Sequence, residues 1–336
     1  MMKGVVLAAG HGSRLLPFTS YRPKHLLPVA GKPILHRSME YLRDILKIDD
    51  VVIVVGHQRN IIMDYFKDGE ELGMNISYVV QHTSQAHGLA AAVNLVEHDV
   101  SNDFVLLLGD NLFQADLSKC VDLHFSNNAS ATIHIEENEF PQRYGVVELD
   151  DDDNVVSLEE KPVNPKSNFV ITGFYVFSPA IFKMIKGLKP STRGEYELTD
   201  AIQRLVVNGY SVKAARIDGW RLDIGYPEDL ISVNRLYLND TTHRILGDVK
   251  DSIIIPPVYI SKNCKITSST IGPYVMIENG VTINSSEIRD TVILENSEID
   301  HTLMANSIVG TQSKVIGIKS NSLKVGDYSI ITNEIY

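Results

Sequence analysis

Beyond about residue 245, aliphatic residues recur every six positions, and this repeat restricts the fold more than any other feature of the chain. Isoleucines stand at 254, 260 and 266, then at 271, 277 and 283, and Ile288 opens a third set. Successive sets are offset by 17 residues, because two hexads are followed by a step of five. Val258, Val275 and Val281 each follow an isoleucine by four positions, and small polar residues and glycine fill most intervals. An aliphatic anchor every sixth residue is the pattern of a parallel β-helix, in which each hexad forms one wall of a coil. A β-sandwich would instead alternate apolar and polar residues, since strand side chains change face at every position. At 17 residues per coil, the 92 residues from 245 to 336 supply about five coils, enough to bury a continuous core.

The first 240 or so residues follow a different rhythm. Apolar runs at Gly4–Ala8, Val51–Val55, Ile76–Val80 and Phe104–Leu108 read as strands. Amphipathic segments near Pro33–Leu46, Arg59–Phe66 and Gly88–Val96 read as helices between them, with Pro33 in the first turn of its helix. Uninterrupted apolar runs suit strands covered on both faces. Strand–helix–strand alternation implies right-handed crossovers and a three-layer α/β architecture. Further strands are expected at Ala131–Glu136, Gly145–Leu149, Val155–Glu159 and Ile171–Phe177. The run Asp150–Asp153 between two of them reads as a solvated hairpin turn, not a metal site. Domains are thus expected over 1–240 and 245–336.

Charge narrows the function classes. The 31 basic and 42 acidic residues leave a net charge of −11, which argues against a nucleic-acid partner, whose binding rests on Lys and Arg neutralising phosphates. A small phosphate-bearing ligand stays open, because a few cations can set a local field against the global one. Two cysteines, Cys120 and Cys264, are too few for a disulfide framework or a thiolate zinc site, and read as buried residues in a reducing cytoplasm. No apolar run approaches the roughly 20 residues of a membrane span. The stretch Val5–Ala9 ends at Gly10-His11-Gly12 without a small-residue cleavage site, so it is not read as a signal peptide.

Phosphate chemistry is expected directly after the first strand, at Gly10-His11-Gly12-Ser13-Arg14-Leu15. Two close glycines let backbone amides approach an anion, although a tight structural turn would use the same residues. Leu15 takes the place of the third glycine of a dinucleotide fingerprint, and no Gly-Lys-Ser/Thr follows for a Walker A loop. The signal continues through Arg14, Pro17, Pro23-Lys24, Pro28, Lys32 and Pro33. Cations on a proline-stiffened loop at the carboxyl end of a first strand can clamp a polyphosphate.

Leu7-Ala8-Ala9-Gly10-His11-Gly12-Ser13-Arg14-Leu15, then Pro23-Lys24-His25-Leu26-Leu27-Pro28 and Gly31-Lys32-Pro33, resemble the signature of sugar-1-phosphate nucleotidylyltransferases. Matches continue in order through Gln81, Gly88-Leu89-Ala90, Leu108-Gly109-Asp110-Asn111 and Arg143-Tyr144-Gly145-Val146-Val147. They run on through Glu159-Glu160-Lys161-Pro162, Thr172-Gly173 and Arg193-Gly194-Glu195 to Leu222-Asp223-Ile224-Gly225. The resemblance covers about residues 2 to 240 and is nearest to the glucose-1-phosphate thymidylyltransferase branch. It implies a Rossmann-like nucleotidyltransferase domain with a mixed sheet, and the repeat resembles the left-handed β-helix of longer members.

The resemblance also implies roles. Asp110 and Asp223 would hold Mg²⁺, which takes a few carboxylates together with phosphate oxygens and water. Arg14 and Lys24 would grip the nucleotide phosphates, with Leu7, Ala9, Gly10 and Gly12 lining the nucleotide site. Gln81 would read the edge of a thymine or uracil together with the Gly88 backbone, since an amide offers both a donor and an acceptor. Lys161 would hold the sugar phosphate, and Asn111, Tyr144, Gly145, Glu160 and Ile171 would line its pocket. The implied reaction moves a nucleotidyl group from dTTP or UTP to glucose-1-phosphate and releases pyrophosphate. The chain departs from the family at Ala9, where many members have a second glycine, and at Arg221, where they have tryptophan.

Two other readings share these motifs. One adds acetyl transfer by the β-helix, but such sites use a histidine base between coils, and His301 is the only histidine beyond 245. The other is a non-catalytic regulatory subunit, which would lack some of Arg14, Lys24, Asp110, Lys161 and Asp223, all present here. The open ends of a β-helix must be capped or paired, so a homo-oligomer, a dimer or tetramer, is expected.

Overall fold

A computed structural model describes residues 2–82, 87–240 and 244–333. Contacts group the chain into two compact units, one of residues 1–10 and 37–221, the other of residues 11–36 and 222–336.

In the first unit the apolar runs form β1 (Lys3–Ala8), β2 (Asp50–Val55), β3 (Asn75–Val80) and β4 (Phe104–Leu108). β1 lies between β2 and β4, and β3 adds to β2, all in parallel. The chain continues with β5 (Ala131–Glu137), β6 (Gly145–Leu149), β7 (Val155–Glu160), β8 (Phe169–Phe177) and β9 (Val212–Arg216). β8 runs antiparallel to β4, β5 and β6, while β7 pairs antiparallel with β6 and β9 parallel with β5. The sheet is therefore mixed, as the short β6–β7 connection requires, because only antiparallel neighbours can be joined by a tight turn. That turn is the expected acidic hairpin. Asn154 donates to Asp150 through its side-chain amide and its backbone N–H, both at 2.8 Å, and these bonds hold the Asp150 carboxyl below its usual pKa. β9 lies outside the strands foreseen from the sequence.

The expected helices form as α1 (Ile34–Asp44), α2 (Arg59–Phe66) and α3 (Leu89–Asn94), joined by α4 (Ser118–Ser126), α5 (Ala180–Ile185) and α6 (Leu198–Val207). Pro33 does not open α1 but closes the two-residue strand Lys32–Pro33 just before it. Alternation along the strands sends Val5, Leu7, Val52, Val54 and Leu106 into a core with Ala90, Val93, Ile181, Phe182 and Ile202 from α3, α5 and α6. Val6, Ile53 and Leu107 point the other way and are equally buried. α4 packs against β5 and β9, where His124 Nδ1 meets Thr132 Oγ1 at 3.1 Å. Both faces are thus covered, which is why the strands read as apolar runs. Cys120 on α4 is buried, and so is Cys264; burial pushes both thiols up.

In the second unit the hexads wind into a parallel β-helix. One wall stacks Asp248–Lys250, Lys265–Thr267, Thr282–Asn284, Glu298–Asp300, Lys314–Ile316 and Ile330–Thr332. Ile266, Ile283, Ile299 and Val315 form its fully buried inner column. The polar intervals are structural too: Ser252, Ser269 and Ser286 accept from the backbone N–H of Ser269, Ser286 and Thr302, each at 3.0 Å. The coil length departs from expectation. Lys265 pairs with Thr282, 17 residues on, but Thr282 pairs with Glu298 and Glu298 with Lys314, 16 residues on. The lost residue is at a corner. Three residues, Ile255-Pro256-Pro257 and Gly272-Pro273-Tyr274, part the paired stretches at the early corners, whereas at the later ones Arg289 pairs with Ala305 and only Asp290 and Asn306 interrupt the ladder between them. Proline has no N–H for the ladder, so the proline corners cannot continue it.

Grouping by contacts does not follow sequence order. Segment 11–36 and α7 (Pro227–Asp240) group with the coils, not with the sheet. Tyr21 and Tyr328 meet edge to face at 5.1 Å, Pro17 lies against Gly326, and Arg235 pairs with Asp290. Element type changes where the sequence says it does, but packing joins parts about 300 residues apart in the chain.

Burial first, and then the neighbouring Glu295, push the Glu278 carboxyl up to about 7 from its ordinary 4.5, with Arg22 offsetting part of the rise. The folded state therefore binds this proton more tightly than the unfolded chain. Stability from this group is full below about pH 4.5 and is lost as pH rises towards 7, by ~3 kcal/mol at most. Glu278→Gln should be as stable as the parent at pH 4 and more stable at pH 8, read from denaturant midpoints. Equal midpoints at both values would refute this. Among the described residues no helix is long and apolar enough to cross a membrane.

Candidate functional site

The carboxyl ends of the parallel strands share one edge. Ala8 stands opposite Val55, Leu7 opposite Leu108 and Val55 opposite Val80, so the residues after each strand emerge side by side. Gly109 N–H donates to Leu7 O at 2.9 Å, and Gln81 N–H to Val55 O at 2.8 Å. Ala9, Gln81 and Asp110, far apart in sequence, thus meet at the edge where open α/β sheets bind ligands. The departure at Ala9 has a local reason. A Cβ on the neighbouring Gly56 would lie 3.0 Å from Ala9 Cβ and 2.8 Å from its carbonyl oxygen, so Ala9 fits because Gly56 has no side chain. Gly88 heads α3 at φ +107°, and a Cβ there would come within 2.4 Å of Tyr196 O. Only glycine meets both demands.

Asp110 and Asn111 follow β4, and Asn111 is buried. Its Nδ2 donates to Asp110 Oδ1 at 3.0 Å, and its Oδ1 accepts from Arg221 Nη1 at 2.8 Å. Arg221 also reaches Thr172 O at 3.2 Å and Glu136 Oε1 at 2.8 Å, with its side chain only 7% exposed. A buried guanidinium thus stands where the resemblance expects an indole, and it fixes Asn111 and, through it, Asp110. The sequence marked Arg221 as a departure but offered no sign of these partners.

A second cluster gathers Gly145, Glu160 and Ile171. A Cβ on Gly145 would lie 2.5 Å from Thr199 Cγ2 and 3.3 Å from both Glu160 Oε2 and Ile171 Cδ1. Thr199 Oγ1 donates to Glu160 Oε2 at 2.8 Å. Burial raises the Glu160 pKa, while Thr199 and Lys161 oppose the rise. Lys161 has φ +45°, rare for a residue with a side chain. Regular strand alternation would send Glu160 and Lys161 to opposite faces; the left-handed turn instead leaves Lys161 Nζ 3.6 Å from Glu160 Oε1. Lys161 N–H donates to Tyr144 O at 2.9 Å, tying Tyr144 to the cluster. Thr199 and Arg193, which holds Glu197 at 2.8 Å and lies 3.7 Å from Glu160, are supports the sequence did not single out for this role.

The second unit carries Gly12, Arg14, Lys24 and Asp223, while Gly10 ends the first segment of the first unit. Gly12 has φ +66°, and a Cβ there would lie 3.1 Å from Lys24 Cβ and 3.2 Å from Thr19 Cγ2, so the glycine lets the loop close onto Lys24. Thr19 Oγ1 donates to Gly12 O at 2.9 Å. Arg14 lies over the Tyr226 ring at 4.9 Å, and a Cβ on Gly225 would be 3.5 Å from Arg14 Nη2. Arg14 thus sits beside the segment that follows Asp223. Among the described residues no three His, Cys, Asp or Glu side chains gather into a metal cage. Asp110 in the first unit and Asp223 in the second, the carboxylates that the resemblance names, are hard oxygen donors of the type Mg²⁺ takes rather than the thiolate or imidazole donors of softer metals.

The sequence profile of the nucleotidyl transferase family matches residues 3–240. A UTP–glucose-1-phosphate uridylyltransferase of Haloferax volcanii is 43% identical over 243 residues, 72% of this chain and 98% of the relative. A glucose-1-phosphate thymidylyltransferase of Streptomyces antibioticus is 36% identical over 323 residues, 95% of this chain and 90% of the relative, so that similarity extends through the coils. A solved UDP-glucose pyrophosphorylase complexed with UDP-glucose has a TM-score of 0.64 at 26% identity, covering 72% of this chain and all of that one.

Proposed function

The chain belongs to the nucleotidyl transferase family, and from that premise we propose that it joins a pyrimidine nucleoside triphosphate, dTTP or UTP, to glucose-1-phosphate and releases pyrophosphate. The observation that carries this reading is the shared strand edge that gathers Ala9, Gln81 and Asp110, next in the chain to the Arg14–Lys24 loop. The names of the relatives support both the pyrimidine and the glucose.

The chemistry follows from charge. A sugar phosphate has a second pKa of about 6, so it reaches the site at neutral pH as a ready nucleophile and needs no general base. Its oxygen attacks the α-phosphorus, the bond to the β-phosphate oxygen breaks, and pyrophosphate leaves. The obstacle is repulsion between anions, which positioned cations remove. Arg14 and Lys24 take the triphosphate and the charge on the leaving group, while Lys161 takes the sugar phosphate beside the hydroxyl-accepting Glu160. Asp110 and Asp223 would hold Mg²⁺, which when bound neutralises triphosphate charge and polarises the phosphorus centre. Gln81 meets the imide edge of the base with one donor and one acceptor.

The test is pyrophosphate release from dTTP, UTP, CTP, GTP and ATP against several sugar-1-phosphates, with and without Mg²⁺. The highest kcat/KM should fall on dTTP or UTP with glucose-1-phosphate; turnover confined to purine nucleotides would overturn the reading. Gly145→Ala should raise KM for the sugar phosphate about tenfold, equivalent to ~1.4 kcal/mol, because its methyl must displace Thr199 from Glu160. KM for the nucleotide should stay nearly constant, and equal effects on both substrates would count against this pocket.

A further inference from the structure

Segment 11–36 carries both Arg14 and Lys24, yet it packs on the β-helix. Its firmest attachment is Arg22, two residues before Lys24. Arg22 Nη2 donates to Asp327 Oδ2 at 3.0 Å and to Thr311 Oγ1 at 2.5 Å, both in the last coils. The Asp327 side chain is fully buried, and its other oxygen accepts from Thr311 N–H at 2.8 Å, so the anchor is rigid before Arg22 arrives. Glu278 and Glu295 lie close by, and Arg22 is the cation that lowers the Glu278 pKa against burial and the neighbouring carboxylates. The coil edge therefore gathers negative charge that the loop's own arginine answers. Pro17 against Gly326 and Tyr21 against Tyr328 set the same segment down on either side of the anchor.

We propose that Arg22 is a positioning residue for nucleotide binding: clamped to Asp327 and Thr311, it holds the loop so that Arg14 and Lys24 present their cations together. The β-helix is then part of the machinery of the transferase, beyond any role in assembly. This inference rests on the reading of Arg14 and Lys24 as phosphate ligands.

The experiment uses the full chain with Arg22→Ala, Arg22→Lys and Asp327→Asn, the last an isosteric change that spares the Thr311 N–H bond. With dTTP and glucose-1-phosphate, Arg22→Ala should raise KM for the nucleotide about tenfold, ~1.4 kcal/mol, with KM for the sugar phosphate within about twofold. Tm should fall as well, because Asp327 stays buried without its cation, so the split between the two substrates, and not Tm, reads the positioning role. Arg22→Lys should recover part of the loss. Asp327→Asn should do similar harm, and the double variant Arg22→Ala/Asp327→Asn no more than either alone, because both remove one linkage. Hydrogen exchange should show faster exchange at the amides of 12–27 in Arg22→Ala, with β1–β3 unchanged. An unchanged nucleotide KM, or losses in both substrates that track a fallen Tm and resist rescue by lysine, would overturn the proposal. If the parent chain released no pyrophosphate with any pair, the functional reading would fail, and unaltered exchange at 12–27 would still refute the positioning role by itself.

Discussion

Lys24→Ala and Asp110→Asn should each remove nearly all pyrophosphate release while leaving the protein folded. Lys24 opens a short turn whose backbone bonds, Leu26 N–H to Pro23 O and Leu27 N–H to Lys24 O at 2.9 and 3.0 Å, do not involve the ammonium. The substitution therefore deletes a charge and keeps the loop. Asp110→Asn is closer to isosteric: an amide oxygen can still accept from Asn111 Nδ2, but the formal charge is gone. In the proposed reaction both groups act where charge builds up on the phosphates. Removing one preorganised stabiliser of developing charge costs about 3–4 kcal/mol, or a loss of roughly 10²–10³ in kcat. Steady-state kinetics beside thermal unfolding separate the two effects. Near-normal turnover in both variants would sink the assignment of these residues.

Arg221→Met is expected to cost the fold several kcal/mol from a single substitution. The buried guanidinium satisfies Glu136, Asn111 and the Thr172 carbonyl together, and Arg221→Met leaves all three without that partner. Removing one side of a buried ion pair costs about 3–5 kcal/mol, here at the lower end because the Glu136 side chain is 30% exposed and can be hydrated. Activity should fall as well if Asn111 lines the proposed sugar pocket, because it loses the bond that orients it. Adding Glu136→Gln to Arg221→Met should restore much of the lost stability but little of the kcat/KM for the sugar phosphate. Recovery of both together would mean that Arg221 stabilises the fold without orienting Asn111.

These two sites were legible to different degrees. Lys24 and Asp110 lie in short motifs whose residue types suggest their chemistry before folding. Arg221 could be flagged only as an anomaly, because its partners at 111, 136 and 172 are brought to it by separate strands. Thr199 left no signal at all, since a threonine near the start of an amphipathic helix reads as an ordinary helix residue. The coil length was misread beyond residue 282 for a specific reason: the expected period came from coils whose corners contain proline, and the later corners do without the extra residue.

Taken alone, the sequence determined the strand-and-helix alternation of the first part, the buried isoleucine columns of the second and the loops where phosphate chemistry is proposed. All three depend on side-chain direction over a few residues, which backbone geometry sets locally. The tertiary structure alone decided that segment 11–36 packs on the coils, that Arg22 reaches Asp327 and that Arg221 supports Asn111. Those choices join residues between about 110 and 300 positions apart. No local period encodes them; they follow from burying charged groups only where a partner of opposite sign or a hydrogen bond is waiting.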